Sequence, residues 1–132
     1  MSQANVESYR RSVDAWARGD RETYLRDVPP DAEFHASGVF PGLDSVYRGR
    51  EGARKLWDDM RGPWEHFVVT IERIEDLGDT VVALITFSVK GRGGISTNRP
   101  WAHVVTYRDG VAIRTDNYPS WDEALKAVGL DD

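Results

Sequence analysis

The chain has 132 residues, 40% hydrophobic and 30% charged, with 17 Lys+Arg against 22 Asp+Glu, a net charge of −5 and no cysteine. That length predicts a single domain over 1–132 with a core and room for one internal pocket. The acidic balance argues against a nucleic-acid partner, the missing thiols exclude disulfides and thiolate chemistry, and no apolar run approaches the ~20 residues that span a bilayer.

The N-terminus has no signal-peptide stretch, so a cytoplasmic protein without a membrane contact is expected. Val6, Tyr9, Val13 and Trp16 recur at helical spacing and predict a first helix, which Gly19 ends. Asp20 caps a short second helix carrying Tyr24 and Leu25, and Pro29-Pro30 stops it. Ala32–Ser37 reads as a short strand, followed by a Gly- and Pro-rich loop. A third helix buries Ala53, Leu56, Trp57 and Met60 and closes at Gly62-Pro63. The second half is β-rich. Phe67–Ile74, Thr80–Lys90, Ile95–Arg108 and Val111–Tyr118 read as strands. Turns are expected at Leu77-Gly78-Asp79, Gly91–Gly94 and Asp109-Gly110, and Pro100 implies a bulge or an edge. Ser120-Trp121-Asp122-Glu123 is a capping box that opens a last helix. Helices followed by an antiparallel meander predict an α+β fold, with helices packed on one face of a curved sheet.

The Asp109-Gly110 turn carries a chemical prediction. A two-residue turn sets Trp101 opposite Tyr118, His103 opposite Asp116, Val105 opposite Arg114 and Tyr107 opposite Ala112, all on one face. Directly opposed side chains lie ~4.5–5.5 Å apart at Cβ, so His103 and Asp116 are expected to form a hydrogen-bonded acid/base pair. Such a carboxylate would favour the protonated imidazole. Arg114 is a candidate for binding an acidic group or an oxyanion. Trp16, Tyr24, Phe34, Trp57, Phe87, Trp101 and Tyr118 are candidates to line a substrate pocket. The three histidines share no ligand spacing, so no metal site and no cofactor are expected. Gly91-Arg92-Gly93-Gly94 lacks the strand–loop–helix context of a phosphate loop and reads as a turn.

Three strings carry a resemblance. They are Tyr47-Arg48-Gly49-Arg50-Glu51-Gly52 before the third helix, Ala102 to Gly110 (AHVVTYRDG) over the last hairpin, and Glu123 to Leu130 (EALKAVGL) at the end. Their order and spacing over nearly the whole chain resemble the SnoaL-like branch of the nuclear-transport-factor-2-like superfamily. The resemblance implies a cystatin/NTF2-like cone, in which N-terminal helices pack on a curved, mainly antiparallel sheet and enclose a pocket. The polyketide cyclases of that group use an Asp on the last strand as base, with a His on the preceding strand, and Asp116 and His103 match those positions. The resemblance therefore implies cofactor-independent isomerisation, cyclisation or dehydration of a hydrophobic carbonyl compound, with Asp116 and His103 catalytic. The alternative is a non-catalytic ligand-binding or dimeric interaction module of the same fold. The ketosteroid isomerases of the superfamily resemble the chain in layout, but their three functional positions fall near Ser12, Ala36 and Ala102, which leaves those roles vacant and argues against that activity. A homodimer is expected through the second sheet face, where Ala102, Val104, Val111 and Ile113 are apolar.

Overall fold

The computed structural model describes residues 2–36, 43–91, 94 and 96–130. The elements run α1 (Ser2–Arg18), α2 (Arg21–Arg26), β1 (Glu33–His35), β2 (Val46–Arg48), α3 (Gly49–Arg61), β3 (Trp64–Asp76), β4 (Thr80–Gly91), β5 (Ser96–Arg108), β6 (Val111–Tyr118) and α4 (Trp121–Ala127). The strands form one sheet in the order β2-β1-β6-β5-β4-β3. Every neighbouring pair is antiparallel except β1 with β6. This is the expected α+β architecture. Ser37 of the first expected strand, Arg92 and Gly93 of the second turn, and Ile95 fall outside the described residues. Strand β2 was not expected. Its three residues pair with β1 from Glu33↔Arg48 to His35↔Val46, too short a run to show a period of two in sequence.

Local chemistry sets the element ends. Gly19 takes φ +73° after α1. Asp20 then accepts from the Thr23 N–H at 3.1 Å and the Thr23 hydroxyl at 2.7 Å, capping α2. Ser120 accepts from the Glu123 N–H at 3.2 Å and opens α4 as a capping box does. At Pro100, β5 pairs with β4 alone, because its pairing with β6 begins at Ala102. The missing N–H therefore points to an edge, one of the two expected alternatives.

Two layers of packing follow. Val81, Ala83, Ile85, Phe87 and Val89 of β4 share the inner face with Trp101, Val105 and Tyr107 of β5, and Tyr9 and Met60 close over them. A second cluster lies beneath α2, where Tyr24, Leu25 and Val28 meet Ala15, Ala53 and Trp57. The outer face is not bare. Ala124 of α4 packs on Val82, Ala102 and Val104, with Tyr118, Trp121, Leu125 and Val128 around it. Two of the four residues expected to demand a second copy, Ala102 and Val104, are thus covered by the chain's own last helix.

The last hairpin departs from the expected register. Asp109 (φ 54°) and Gly110 (φ 79°) both take positive φ, as the two-residue turn requires. The pairing Tyr107↔Ala112 next to the turn agrees with the expectation. One residue later the ladder shifts, and Thr106 pairs with Arg114. Ile113 is the extra residue of a β-bulge. From there on His103 faces Asn117 and Val105 faces Thr115, while Asp116 faces Val104. Because side chains alternate, the bulge moves Arg114, Asp116 and Tyr118 to the outer face.

Candidate functional site

Between the inner face and the helices lies a cavity of about 640 Å³. That volume suits a drug-sized ligand. Helix α1 contributes Tyr9, Ser12, Val13 and Trp16, and the sheet contributes Phe87, Trp101, His103, Thr115 and Asn117. Aromatic contacts link the residues of its wall. Phe34 meets Tyr24 with ring centroids 6.5 Å apart, and Tyr24 meets Trp16 at 5.0 Å. Phe67, in the core behind the wall, bridges Trp16 at 6.1 Å to Phe87 at 5.1 Å, and Phe87 lies on Trp101 at 4.0 Å. Such a wall offers a flat apolar ligand extensive contact.

The polar part of the wall is a chain of three side chains. The Trp101 indole donates to His103 Nε2 at 3.1 Å, and His103 Nδ1 lies 2.8 Å from the Tyr9 hydroxyl. An indole N–H only donates, so Nε2 must be the acceptor nitrogen of a neutral ring. The ring proton then sits on Nδ1 and is donated to the Tyr9 oxygen. Tyr9 keeps its own O–H proton, and among the described residues its hydroxyl makes no other hydrogen bond. The chain therefore runs Trp101 to His103 to Tyr9, and its donor end belongs to a cavity-lining phenol.

Burial fixes the protonation states. It lowers the His103 pKa to about 4, against a weaker hydrogen-bonding contribution of Asn117 that raises it. The imidazole is thus neutral at pH 7, the reverse of the protonated ring expected beside a carboxylate. Part of its surface faces the cavity, and protein packs around the rest. Burial also raises the Tyr9 pKa, with Tyr107 nearby adding to the shift, and Tyr9 stays a phenol. Burial likewise pushes Tyr107 up to about 12.

The residues singled out by sequence divide between the faces. Trp16, Tyr24, Phe34, Phe87, Trp101 and His103 line the cavity. Trp57 does not. It sits behind Trp16 at 4.5 Å and Tyr24 at 5.4 Å, with the Arg61 guanidinium over its ring. Tyr118 packs under α4. The expected pairing of His103 with Asp116 is corrected by the bulge at Ile113. Asp116 lies on the outer face and accepts from Arg114 through both oxygens at 3.0–3.1 Å. Asp116 and Arg114 satisfy each other, and neither lines the cavity. Outside the cavity Glu33 accepts from His35 at 2.8 Å and pairs with Arg48.

Two residues of the site were not singled out. Tyr9 reads as plain core from its helical spacing, and the need of a buried phenol for a polar partner was its one signal. Asn117 carries no motif. It binds the His35 carbonyl at 3.0 Å and so ties β6 to β1 beside the site. Among the described residues no three His, Asp or Glu side chains gather as a metal ion requires, and no helix is long and apolar enough to cross a membrane.

Comparisons agree with this geometry at the level of the fold. The chain is similar to the structure of TerC co-crystallised with polyporic acid, at 23% identity over 89% of this chain and 92% of that one, with a TM-score of 0.78. It is also similar to an NTF2-like protein of unknown function from Burkholderia pseudomallei, at 19% identity over 96% and 98% of the two chains, with a TM-score of 0.79. A protein with a ketosteroid-isomerase-like fold from Catenulispora acidiphila, in complex with trimethylamine, matches at 18% identity over 92% of each chain, with a TM-score of 0.73. No curated protein matches the chain. A family model described as a SnoaL-like domain matches residues 9–115, so the chain belongs to the SnoaL-like domain family.

Proposed function

We propose that the cavity binds a hydrophobic, ring-bearing carbonyl compound, with its oxygen accepting from Tyr9. The carrying observation is the Trp101–His103–Tyr9 chain, which leaves one oriented O–H donor in an aromatic cavity. Bonds in such a chain polarise one another and strengthen the terminal donor. Two fold relatives, TerC with polyporic acid and the Catenulispora acidiphila protein with trimethylamine, hold small molecules.

A matched ligand pair tests this reading: acetonaphthone, a ketone, and ethylnaphthalene, its near-isosteric hydrocarbon. Quenching of tryptophan fluorescence should show the ketone binding ~2–12-fold tighter, the range of one net hydrogen bond. Tyr9→Phe should abolish that preference while keeping hydrocarbon binding. Equal binding of the two ligands to the unmodified protein sinks the donor role.

A catalytic form of the same reading is supported by the position of Tyr9, where an enolate oxygen would be stabilised as its charge develops. The proton would leave to a carboxylate, and Asp27 is the one that lines the cavity among the described residues. Asp116, held outside by Arg114, has no part in it. Exchange of the acetonaphthone methyl protons in deuterated water, followed by NMR, reads this step. Exchange should fall by ~100-fold or more in Asp27→Asn, the scale of a lost general base, and stay unchanged in Asp116→Asn. An absence of protein-dependent exchange leaves the binding module alone standing.

The protein is further proposed to be a cytoplasmic homodimer joined through the sheet. The strip of outer face beyond α4 carries Glu33 and Asp116 beside Arg48 and Arg114, both signs close together, which suits a two-fold contact between copies. Light scattering at micromolar concentration should give twice the chain mass, and a monomer mass counts against it.

A further inference from the structure

We propose that the ligand of this cavity is an anion, a ring compound whose carboxylate, phenolate or sulfonate group is met by Arg11, Arg26 and Arg50. This rests on the reading of the cavity as a ligand site and adds the charge of what it takes. Several arginines of this chain are neutralised by carboxylate partners. Arg18 pairs with Asp14, Arg21 with Asp58, Arg108 with Asp31 and Arg114 with Asp116. Arg11, Arg26 and Arg50 differ. All three are exposed, all three line the cavity, and among the described residues none of them closes an ion pair. Exposed residues that line a cavity stand where it opens to solvent. Arg50 is also tied to its neighbour, donating to the Arg26 carbonyl at 3.3 Å.

The charge balance sharpens the point. Among the described residues one acidic residue, Asp27, lines the cavity with three arginines, so the lining carries a net positive charge. The whole chain carries −5 and would repel an anion elsewhere. Unpaired guanidinium groups beside an aromatic cavity fit a ligand whose ring is buried and whose anionic end stays at the opening. A guanidinium also meets a carboxylate or sulfonate through two parallel hydrogen bonds. The ligand would then be read at both ends, by the Tyr9 donor and by the arginines.

Two dyes that differ by one sulfonate test the proposal. Anilinonaphthalene sulfonate and N-phenylnaphthylamine share a ring skeleton, and both brighten in apolar sites. The sulfonate should bind the full-length protein ~10-fold tighter or better at low salt, the scale of a charge-assisted hydrogen bond. Salt should erode that advantage. Arg11→Gln, Arg26→Gln and Arg50→Gln should each reduce it, and together remove it, with neutral-dye affinity unchanged. Arg10→Gln, an exposed arginine outside the cavity lining, should leave it intact. A neutral dye that binds as tightly as the sulfonate overturns the anion while leaving the cavity reading in place. An advantage that survives the combined variant overturns the assignment to these arginines. Failure of both dyes to bind overturns this proposal and the cavity reading together.

Discussion

Replacing Trp101 with alanine is expected to remove ~3–5 kcal/mol of stability, and replacing it with phenylalanine ~1–2 kcal/mol. The side chain is 3% exposed, lies on Phe87 at 4.0 Å and donates to His103. Alanine empties that space, and the loss combines transferred surface with the void left behind. Phenylalanine keeps most of the packing and removes the N–H, so His103 Nε2 is left without its donor. The second effect is chemical. Without the indole, nothing requires the ring proton to sit on Nδ1, and the Tyr9 hydroxyl is free to turn toward His103. Trp101→Phe should therefore lose the preference for ketone over hydrocarbon while still binding both. Urea denaturation measures the first effect and ligand titration the second. A fully retained ketone preference in Trp101→Phe would show that Tyr9 is oriented by something other than this chain.

The helices, the antiparallel meander and the Asp109-Gly110 turn were legible because each rests on local chemistry. Their signals are the stripe from Val6 to Trp16, the caps at Asp20 and Ser120, and the positive φ that the turn demands. The site was less legible, and the reason is a single residue. A bulge changes the parity of everything beyond it, and Ile113 carries no glycine signal to announce one. Val111-Ala112-Ile113 is also apolar throughout, so it has no alternation to set a face. Beyond the bulge the pattern is informative in retrospect. In the uninterrupted register, Arg114 and Asp116 would face the aromatic cavity, where an ion pair loses part of its hydration. The bulge turns them outward, where they bind each other, and gives Tyr118 to the cluster under α4. The residues brought inward, Thr115 and Asn117, are uncharged. Short β2 and the role of Tyr9 depend on contacts distant in sequence. Tyr9 meets His103 from 94 positions away, and no local pattern encodes that contact.

The pH dependence of stability should carry the signature of His103. The unfolded imidazole takes a proton near its ordinary value of 6.5, whereas burial holds the folded one to about 4. Between those values the unfolded state binds the extra proton, so stability falls as pH falls. The contribution is complete above ~6.5, is lost progressively down to about 4, and changes little below that. The slope is about 1.4 kcal/mol per pH unit for one group, and about 3 kcal/mol over the window. Hydrogen bonds and ion pairs hold Asp20, Asp31 and Asp59 below 3.8, so their loss of stability belongs to more acidic conditions. Geometry reinforces the effect of burial. Protonating His103 places an N–H on Nε2, facing the indole N–H of Trp101, and the 3.1 Å bond between them must break. Acid should therefore disturb the Tyr9 donor along with the fold. Urea midpoints of the unmodified protein should drop between pH 6.5 and 4 more steeply than those of His103→Gln, which has no proton to gain there. Ketone preference in the unmodified protein should fade over the lower part of the same window. Parallel slopes in the two proteins, or a His103 ring that titrates near 6.5 by NMR, would mean that water reaches the imidazole and that the Trp101–His103–Tyr9 chain is not closed in solution.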